Sequence, residues 1–232
     1  MLFYSCSFNQ FLTMIFGILM KKRHLEILLD NLKPHPKPKA HLEQYSIEGN
    51  LASEFLLFAK EDIDGSFVID LGCGSGRLII GAKVLGAEHA VGIDIDEETI
   101  DTAKENLKNL NSDSNSDLKV DFLNSDVKNI DKKYFEDNFS DFNGLKKVVI
   151  QNPPFGSQKK YADRIFLDKA FEIGDVIYTI HNTATRDFLI NYVKEKGREI
   201  TNIFQADFRV PAIYEFHKKK AVNVPVDIYR IV

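Results

Sequence analysis

Tryptophan is absent from the 232-residue chain, and cysteine occurs only twice, at Cys6 and Cys73. Two thiols build neither a disulfide framework nor a zinc site, and they suit a reducing cytoplasm. An excess of positive charge is also missing. The chain has 30 Lys and Arg against 34 Asp and Glu, a formal net charge of −4. Any nucleic-acid contact must therefore come from a local basic patch rather than from the overall field. What is present is ordinary globular composition, 44% hydrophobic and 28% charged, with 18 phenylalanines as apolar volume. That argues against wholesale disorder and suits one α/β core with a small N-terminal appendage.

Strong apolarity is concentrated in residues 1–20, MLFYSCSFNQFLTMIFGILM. Their positive charges, Lys21, Lys22 and Arg23, follow the apolar stretch, the reverse of a secretory signal. The run from Phe11 to Met20 is about half the length that spans a bilayer. The segment reads as an interfacial anchor, as a helix packed on the domain or, our preferred reading, as an extension ahead of a native start at Met20. The chain thus divides into an apolar extension (1–19), an N-terminal helix with a proline-rich segment (20–48) and the main domain (49–232).

The pattern predicts a helix over 21–32, with Leu25, Leu28, Leu29 and Leu32 on one side. Pro34, Pro36 and Pro38 impose an extended segment, and a second helix follows over 47–60. Strands are then expected at 67–71, 90–95, 118–122, 147–151, 175–181, 200–208 and 222–231. Helices are expected at 76–86, 97–110, 161–172 and 183–197. Residues 109–117, nearly all Asn, Ser and Asp, read as a loop. Alternating apolar strands and helices imply an α/β fold, a seven-stranded, mostly parallel sheet closed by a C-terminal antiparallel hairpin. Such sheets bind ligands outside the carboxyl ends of their strands.

The first strand ends in Asp70-Leu71-Gly72-Cys73-Gly74-Ser75-Gly76. Its glycines let the backbone turn tightly and approach a ligand. The dinucleotide fingerprint requires glycine where Arg77 stands. Asp70 would repel a pyrophosphate but attract an ammonium group. The second strand ends in Gly92-Ile93-Asp94-Ile95-Asp96, where Asp94 can accept both hydroxyls of a ribose and Ile95 adjoins it. Asp126, after the third strand, can meet an adenine amino group. The ordered set describes S-adenosylmethionine.

A second constellation, Asn152-Pro153-Pro154-Phe155, follows the buried strand Val148–Gln151. The prolines stiffen the backbone. The Asn152 side-chain carbonyl and the Pro153 main-chain carbonyl can both accept from one amino group, while Phe155 can stack on a planar ring. An adenine amine is a poor nucleophile because its lone pair is delocalised. Acceptors placed for a pyramidal nitrogen favour the transition state over the planar ground state.

Together these motifs resemble class I amino-methyltransferases with an (Asn/Asp)-Pro-Pro-aromatic motif. Leu42-Glu43-Gln44-Tyr45, Gly92–Glu97, Asn152–Gly156, Thr185-Arg186 and Phe216-His217-Lys218-Lys219-Lys220 also resemble the archaeal-eukaryotic "methyltransferase-like five" family. The similarity runs in the same order from Met20 to Val232. It implies a Rossmann-like fold and N6-methylation of adenosine in small-subunit ribosomal RNA. It also implies that Asn152, Pro153, Pro154 and Phe155 form the catalytic loop. Gln44 and Ile47 would touch the cofactor, although Ile47 stands where the family can carry threonine. Gly72, Ser75 and Arg77 would line the glycine loop through their backbones, Asp94 would hold the ribose, and Asp126 and Val127 would face the adenine. Family members are similar in pairing with a small zinc-binding activator protein beside the edge strand, here expected at 118–122.

Residues 209–220 sum to +3 with histidine neutral. His217, Lys218, Lys219 and Lys220, with Lys159 and Lys160 after the catalytic loop, are the candidate RNA contacts. Tyr214 and Phe216 stack on bases or pack the hairpin. His181 lines the pocket or is a buried structural histidine. Protein glutamine N5-methylation, DNA adenine methylation and a non-catalytic RNA-binding scaffold remain the competing readings.

Overall fold

The computed structural model describes residues 22–39, 44–154, 162–211 and 221–232. The expected extension 1–19 lies outside them. Seven strands form one sheet: β1 (Phe67–Leu71), β2 (His89–Asp94), β3 (Asp121–Asn124), β4 (Lys147–Gln151), β5 (Val176–Asn182), β6 (Ile200–Pro211) and β7 (Ala221–Ile231). Their order is β3-β2-β1-β4-β5-β7-β6. The first five are mutually parallel, and β7 pairs antiparallel with both β5 and β6. This is the Rossmann-like sheet with a C-terminal hairpin that the sequence pattern predicts.

The helices are α1 (Lys22–Asp30), α2 (Gly49–Ile63), α3 (Arg77–Val84), α4 (Glu97–Ser114), α5 (Lys132–Asn138), α6 (Ala162–Ile173) and α7 (Arg186–Glu195). Alternation along β1 explains the layering. Val68 points into a cluster with Leu25, Leu29, Phe55, Leu56 and Ile80, while Phe67, Ile69 and Leu71 point into one with Phe135, Leu167 and Leu189. Strands buried on both faces need near-continuous apolar sequence, and β1 and β4 are buried at every position, with polar residues only toward their ends. Each such Leu, Ile or Phe contributes about 1.5–3 kcal/mol.

Most boundaries shift by one to three residues, β6 running on to Pro211, and the departures around 109–121 have a visible cause. The polar run expected as a loop at 109–117 continues α4 to Ser114. Its short side chains satisfy the helix instead of competing with it: Ser112 Oγ donates to Lys108 O and Ser114 Oγ to Leu110 O, at 3.0 and 2.6 Å. Asn111 then pairs with both backbone groups of Leu118 at 2.9 and 3.0 Å. This delays the edge strand from 118 to Asp121. The short α5 was not expected at all, although Asp131 caps it by accepting from Tyr134 N at 2.7 Å.

Candidate active site

The carboxyl ends of β1, β2 and β4 surround a cavity of about 270 Å³. Its floor is the glycine loop. Gly72 N and Cys73 N both donate to Ile93 O, at 2.8 and 2.9 Å, which ties the loop to β2. Gly72, Gly74 and Gly76 have φ of 75°, 53° and 85°, a region that favours glycine. A Cβ on Gly72 would also sit 3.0 Å from the Phe166 ring. Gly72, Gly74 and Ser75 line the cavity. Gly76 instead lies behind the loop, where a Cβ would come within 3.1 Å of Ala103 and Ile80. Its role is helix–strand packing, not ligand contact.

The acids differ sharply in how they are satisfied. Asp70 is 1% exposed, lines the cavity, and among the described residues neither of its oxygens makes a hydrogen bond. Burial first, and the nearby Asp94 second, push its pKa well above the carboxylate range. Burial first, then the charges of Asp70 and Asp94, push the Cys73 thiol up as well. An unpaired buried carboxylate on a cavity wall fits a cationic ligand group. Asp94 lines the cavity too, but each oxygen already accepts a backbone amide, Gly74 N and Asp96 N, both at 2.9 Å. Burial outweighs these bonds and raises its pKa. The carboxylate thus shapes the loop while its remaining lone pairs face the cavity. Ile95, Asp126 and Val127 complete this wall. Ile95 is 55% exposed, an apolar surface suited to a flat ring, and Asp126 caps its own turn by accepting from Lys128 N at 3.0 Å.

The opposite wall carries Asn152 and Pro154. Asn152 Oδ1 is buried and, among the described residues, makes no hydrogen bond. Pro153 is buried and off the lining. Phe155, Lys159, Lys160 and His217, Lys218, Lys219 and Lys220 lie outside the described residues, as do Tyr214 and Phe216. Beneath Asn152, Gln151 Nε2 donates to Thr179 Oγ1 at 3.1 Å, and Thr179 Oγ1 meets His181 Nε2 at 2.8 Å. His181 is not on the cavity wall. Burial pushes its pKa down to about 4, against the pull of Asp227, so it is a neutral structural group at pH 7.

The roof was the least legible part. Residues 31–39 and 44–48 form a strap beside the cavity, and His35, Gln44, Tyr45, Ser46 and Ile47 line it. Its latch is Asp96, 5% exposed, which accepts from Lys39 Nζ at 2.8 Å, Gln44 Nε2 at 3.0 Å and pairs with His35 Nε2 at 3.2 Å. Against the effect of burial, these partners hold its pKa down to about 2. The Gln44 amide is therefore committed to Asp96, and its Oε1 accepts from Lys39 N at 2.8 Å. Gln44 contributes to the cavity wall with no free amide. Arg77 also departs from a backbone-only role. Its buried guanidinium donates to Leu32 O at 2.9 Å and to Ile47 O, gripping both ends of the strap. Asn106 adds bonds to Lys33 N and Lys33 O and to Ser75 O, at 2.8, 3.0 and 3.0 Å. From α6, Ile165 and Phe166 close the remaining side. Among the described residues, no group of three or more His, Cys, Asp or Glu could hold a metal ion, and no helix is long and apolar enough to cross a membrane.

Comparison with known proteins divides along the same line as the cavity. The family model described as ribosomal protein L11 methyltransferase (PrmA) matches residues 56–136. That stretch carries the glycine loop and the acids and ends before Asn152. Similarity to other proteins spans both walls. An uncharacterized protein of Methanocaldococcus jannaschii, MJ0284, is 59% identical over 213 residues, covering 92% of this chain and 94% of its own. The crystal structure of Pyrococcus horikoshii PH1948 has a TM-score of 0.78 and 38% identity, covering 92% of this chain and 98% of its own. The Danio rerio rRNA N(6)-adenosine-methyltransferase METTL5 is 34% identical over 218 residues, covering 91% of this chain and 98% of its own. With both the glycine loop and the Asn152 loop inside that shared length, the chain belongs to the METTL5 family of rRNA N(6)-adenosine-methyltransferases.

Proposed function

We propose that the protein transfers a methyl group from S-adenosylmethionine to N6 of an adenosine in small-subunit ribosomal RNA. One observation carries this reading: a single cavity joins an unpaired buried carboxylate, Asp70, to an unpaired buried amide oxygen, Asn152 Oδ1. When bound, S-adenosylmethionine supplies an activated sulfonium methyl group. Asp70 fits its ammonium group, Asp94 its ribose, and Asp126 with Ile95 and Val127 its adenine. Asn152 Oδ1 is the acceptor on the cavity wall for the target amine and favours its pyramidal form; Pro153, off the lining, would reach that amine only through its main-chain carbonyl. In a water-poor site such fixed acceptors act without reorganising. Phe155 is the candidate for stacking on the target base, and Lys159, Lys160 and His217, Lys218, Lys219 and Lys220 for holding the RNA backbone. The L11 methyltransferase similarity does not bring a protein substrate with it, because it stops before the acceptor wall.

A partner of the zinc-binding activator type would add a strand at β3, the sheet edge, over Asp121–Asn124 rather than 118–122. Co-purification from the source cells tests it, and recovery of the chain alone counts against it. The central experiment is labelled methyl transfer onto small ribosomal subunits, protein and DNA, followed by nucleoside analysis. N6-methyladenosine in the RNA is expected. Asn152→Ala should lower turnover about 100-fold or more while cofactor binding survives. Label in protein or DNA alone overturns the reading.

A further inference from the structure

Thr185-Arg186 has no role in the reading above, yet the structure organises it closely. Arg186 opens α7 just beyond β5, the strand beside β4, at the same end of the sheet as Asn152. Its Nε donates to Asp227 Oδ2 at 2.7 Å and its Nη2 to Asp227 Oδ1 at 2.6 Å. Asp227, on β7, is fully buried and also accepts from Thr183 Oγ1 at 3.1 Å and Tyr229 OH at 2.9 Å. The turn leading into Arg186 is held by Asn182, whose Oδ1 accepts from Ala184 N at 2.9 Å, and by Thr185 Oγ1, which donates to Asn182 O at 2.8 Å.

A cation at the first residue of a helix opposes the helix dipole. A buried ion pair also rarely stabilises more than an apolar pair of similar shape. Stability alone is therefore a weak reason for this arrangement. What the pairing does supply is orientation. A guanidinium held through Nε and Nη2 cannot swing, and the side chain remains 37% exposed. The pair with Asp227 uses Nε and Nη2 and leaves Nη1 outside it. The exposed edge of a fixed guanidinium matches a phosphate oxygen.

The surroundings fit a strand of RNA. β5 pairs with β7 as far as Asn182↔Val226, whereas β6 and β7 continue for five more pairs, from Asp207↔Pro225 to Pro211↔Ala221. At ~3.3 Å per residue this ribbon projects ~15 Å past β5, beyond the end of the sheet where Asn152 lies. It carries the exposed Arg209. Arg186 follows β5, the strand that lies between β4, which ends at Gln151, and β7 of the ribbon.

We propose that Arg186 binds an RNA phosphodiester beside the target adenosine, with Asp227 as its positioning residue. The inference rests on the RNA-methylation reading and adds a contact to it. The test is fluorescence anisotropy of a labelled, adenosine-containing single-stranded oligoribonucleotide across a salt series. Binding of S-adenosylhomocysteine is measured in parallel by calorimetry. Arg186→Ala should weaken RNA binding about tenfold and reduce the log–log salt slope by about one, with S-adenosylhomocysteine affinity unchanged. Arg186→Lys should restore the slope but only part of the affinity, because the fork is lost. Asp227→Asn should weaken RNA binding about threefold and keep the slope. If Arg186→Ala does not fold, the double variant Arg186→Gln with Asp227→Asn replaces the ion pair by neutral amides and should give the same loss. Wild-type RNA affinity and slope in a folded variant lacking the cation would overturn the proposal. If the wild-type enzyme makes no N6-methyladenosine, the functional reading fails, and the salt series still reports separately on Arg186.

Discussion

Asp62 and Asp70 are both buried carboxylates, at opposite ends of the same sheet, and their surroundings differ completely. Asp62 lies near the amino ends of the parallel strands. It accepts from Arg230 Nε at 2.7 Å, Lys146 Nζ at 2.8 Å and Tyr178 OH at 2.7 Å. Against the effect of burial, these partners hold its pKa well below the usual range. Asp70, at the carboxyl end of β1, has no hydrogen bond among the described residues, and burial drives its pKa the other way. One acid joins α2, the residue before β4, β5 and β7 into a frame. The other is left costly by the fold, and a ligand cation would relieve that cost. Within one protein, the satisfaction of a buried charge separates a structural residue from a binding residue.

Breaking the frame should have the largest effect. Asp62→Ala leaves Arg230 and Tyr178 without their partner and should cost about 3 kcal/mol or more. In thermal denaturation that is a fall of about 6–12 °C in melting temperature. A loss below about 1 kcal/mol would mean that the cluster is decoration. Asp70→Asn should act in the opposite sense on the two properties. Cofactor affinity should drop about 100-fold, the scale of a lost charge-assisted contact, while the ligand-free protein melts higher than wild type at neutral pH. Calorimetric titration and a melting scan on the same sample would read both. Asp96→Asn should release the strap without disturbing either acid, weakening cofactor binding about tenfold and leaving RNA affinity unchanged.

The smallest effect is the pH dependence of the two stability differences. Because the folded pKa of Asp62 is lowered, its contribution is present above the ordinary carboxylate pKa and fades as pH falls. The gap between wild type and Asp62→Asn should therefore close in acid. Because the folded pKa of Asp70 is raised, wild type loses stability relative to Asp70→Asn as pH rises above the ordinary carboxylate range. That gap should open with pH. Melting curves from pH 3 to pH 8 would check both signs.

Much of this was legible in the sequence because the signals are local. The apolar run Val148–Ile150 gave β4 at its observed bounds, and acids at strand ends pointed to the cavity wall. The strap latch was not legible. Asp96 reads as one more helix-start acid until Lys39, Gln44 and His35 are folded onto it from more than fifty residues away. Arg77 looked like a failed glycine because the motif describes the backbone and not where a long side chain reaches. Asn111 and Ser114 misled for the reverse reason: residues that favour loops when isolated satisfied the helix and its exit.

The paired grip of Arg77 on Leu32 and Ile47 has a practical consequence for anyone trimming this protein. A fragment starting at Gly49 would keep every strand of the sheet and both acids, yet it would lose the ceiling of the ligand bay. Such a fragment would also strip Leu25, Leu29, Leu32 and Ile47 from the core and leave the Arg77 guanidinium without its acceptors, so an inactive truncation would say nothing about the chemistry of the catalytic corner.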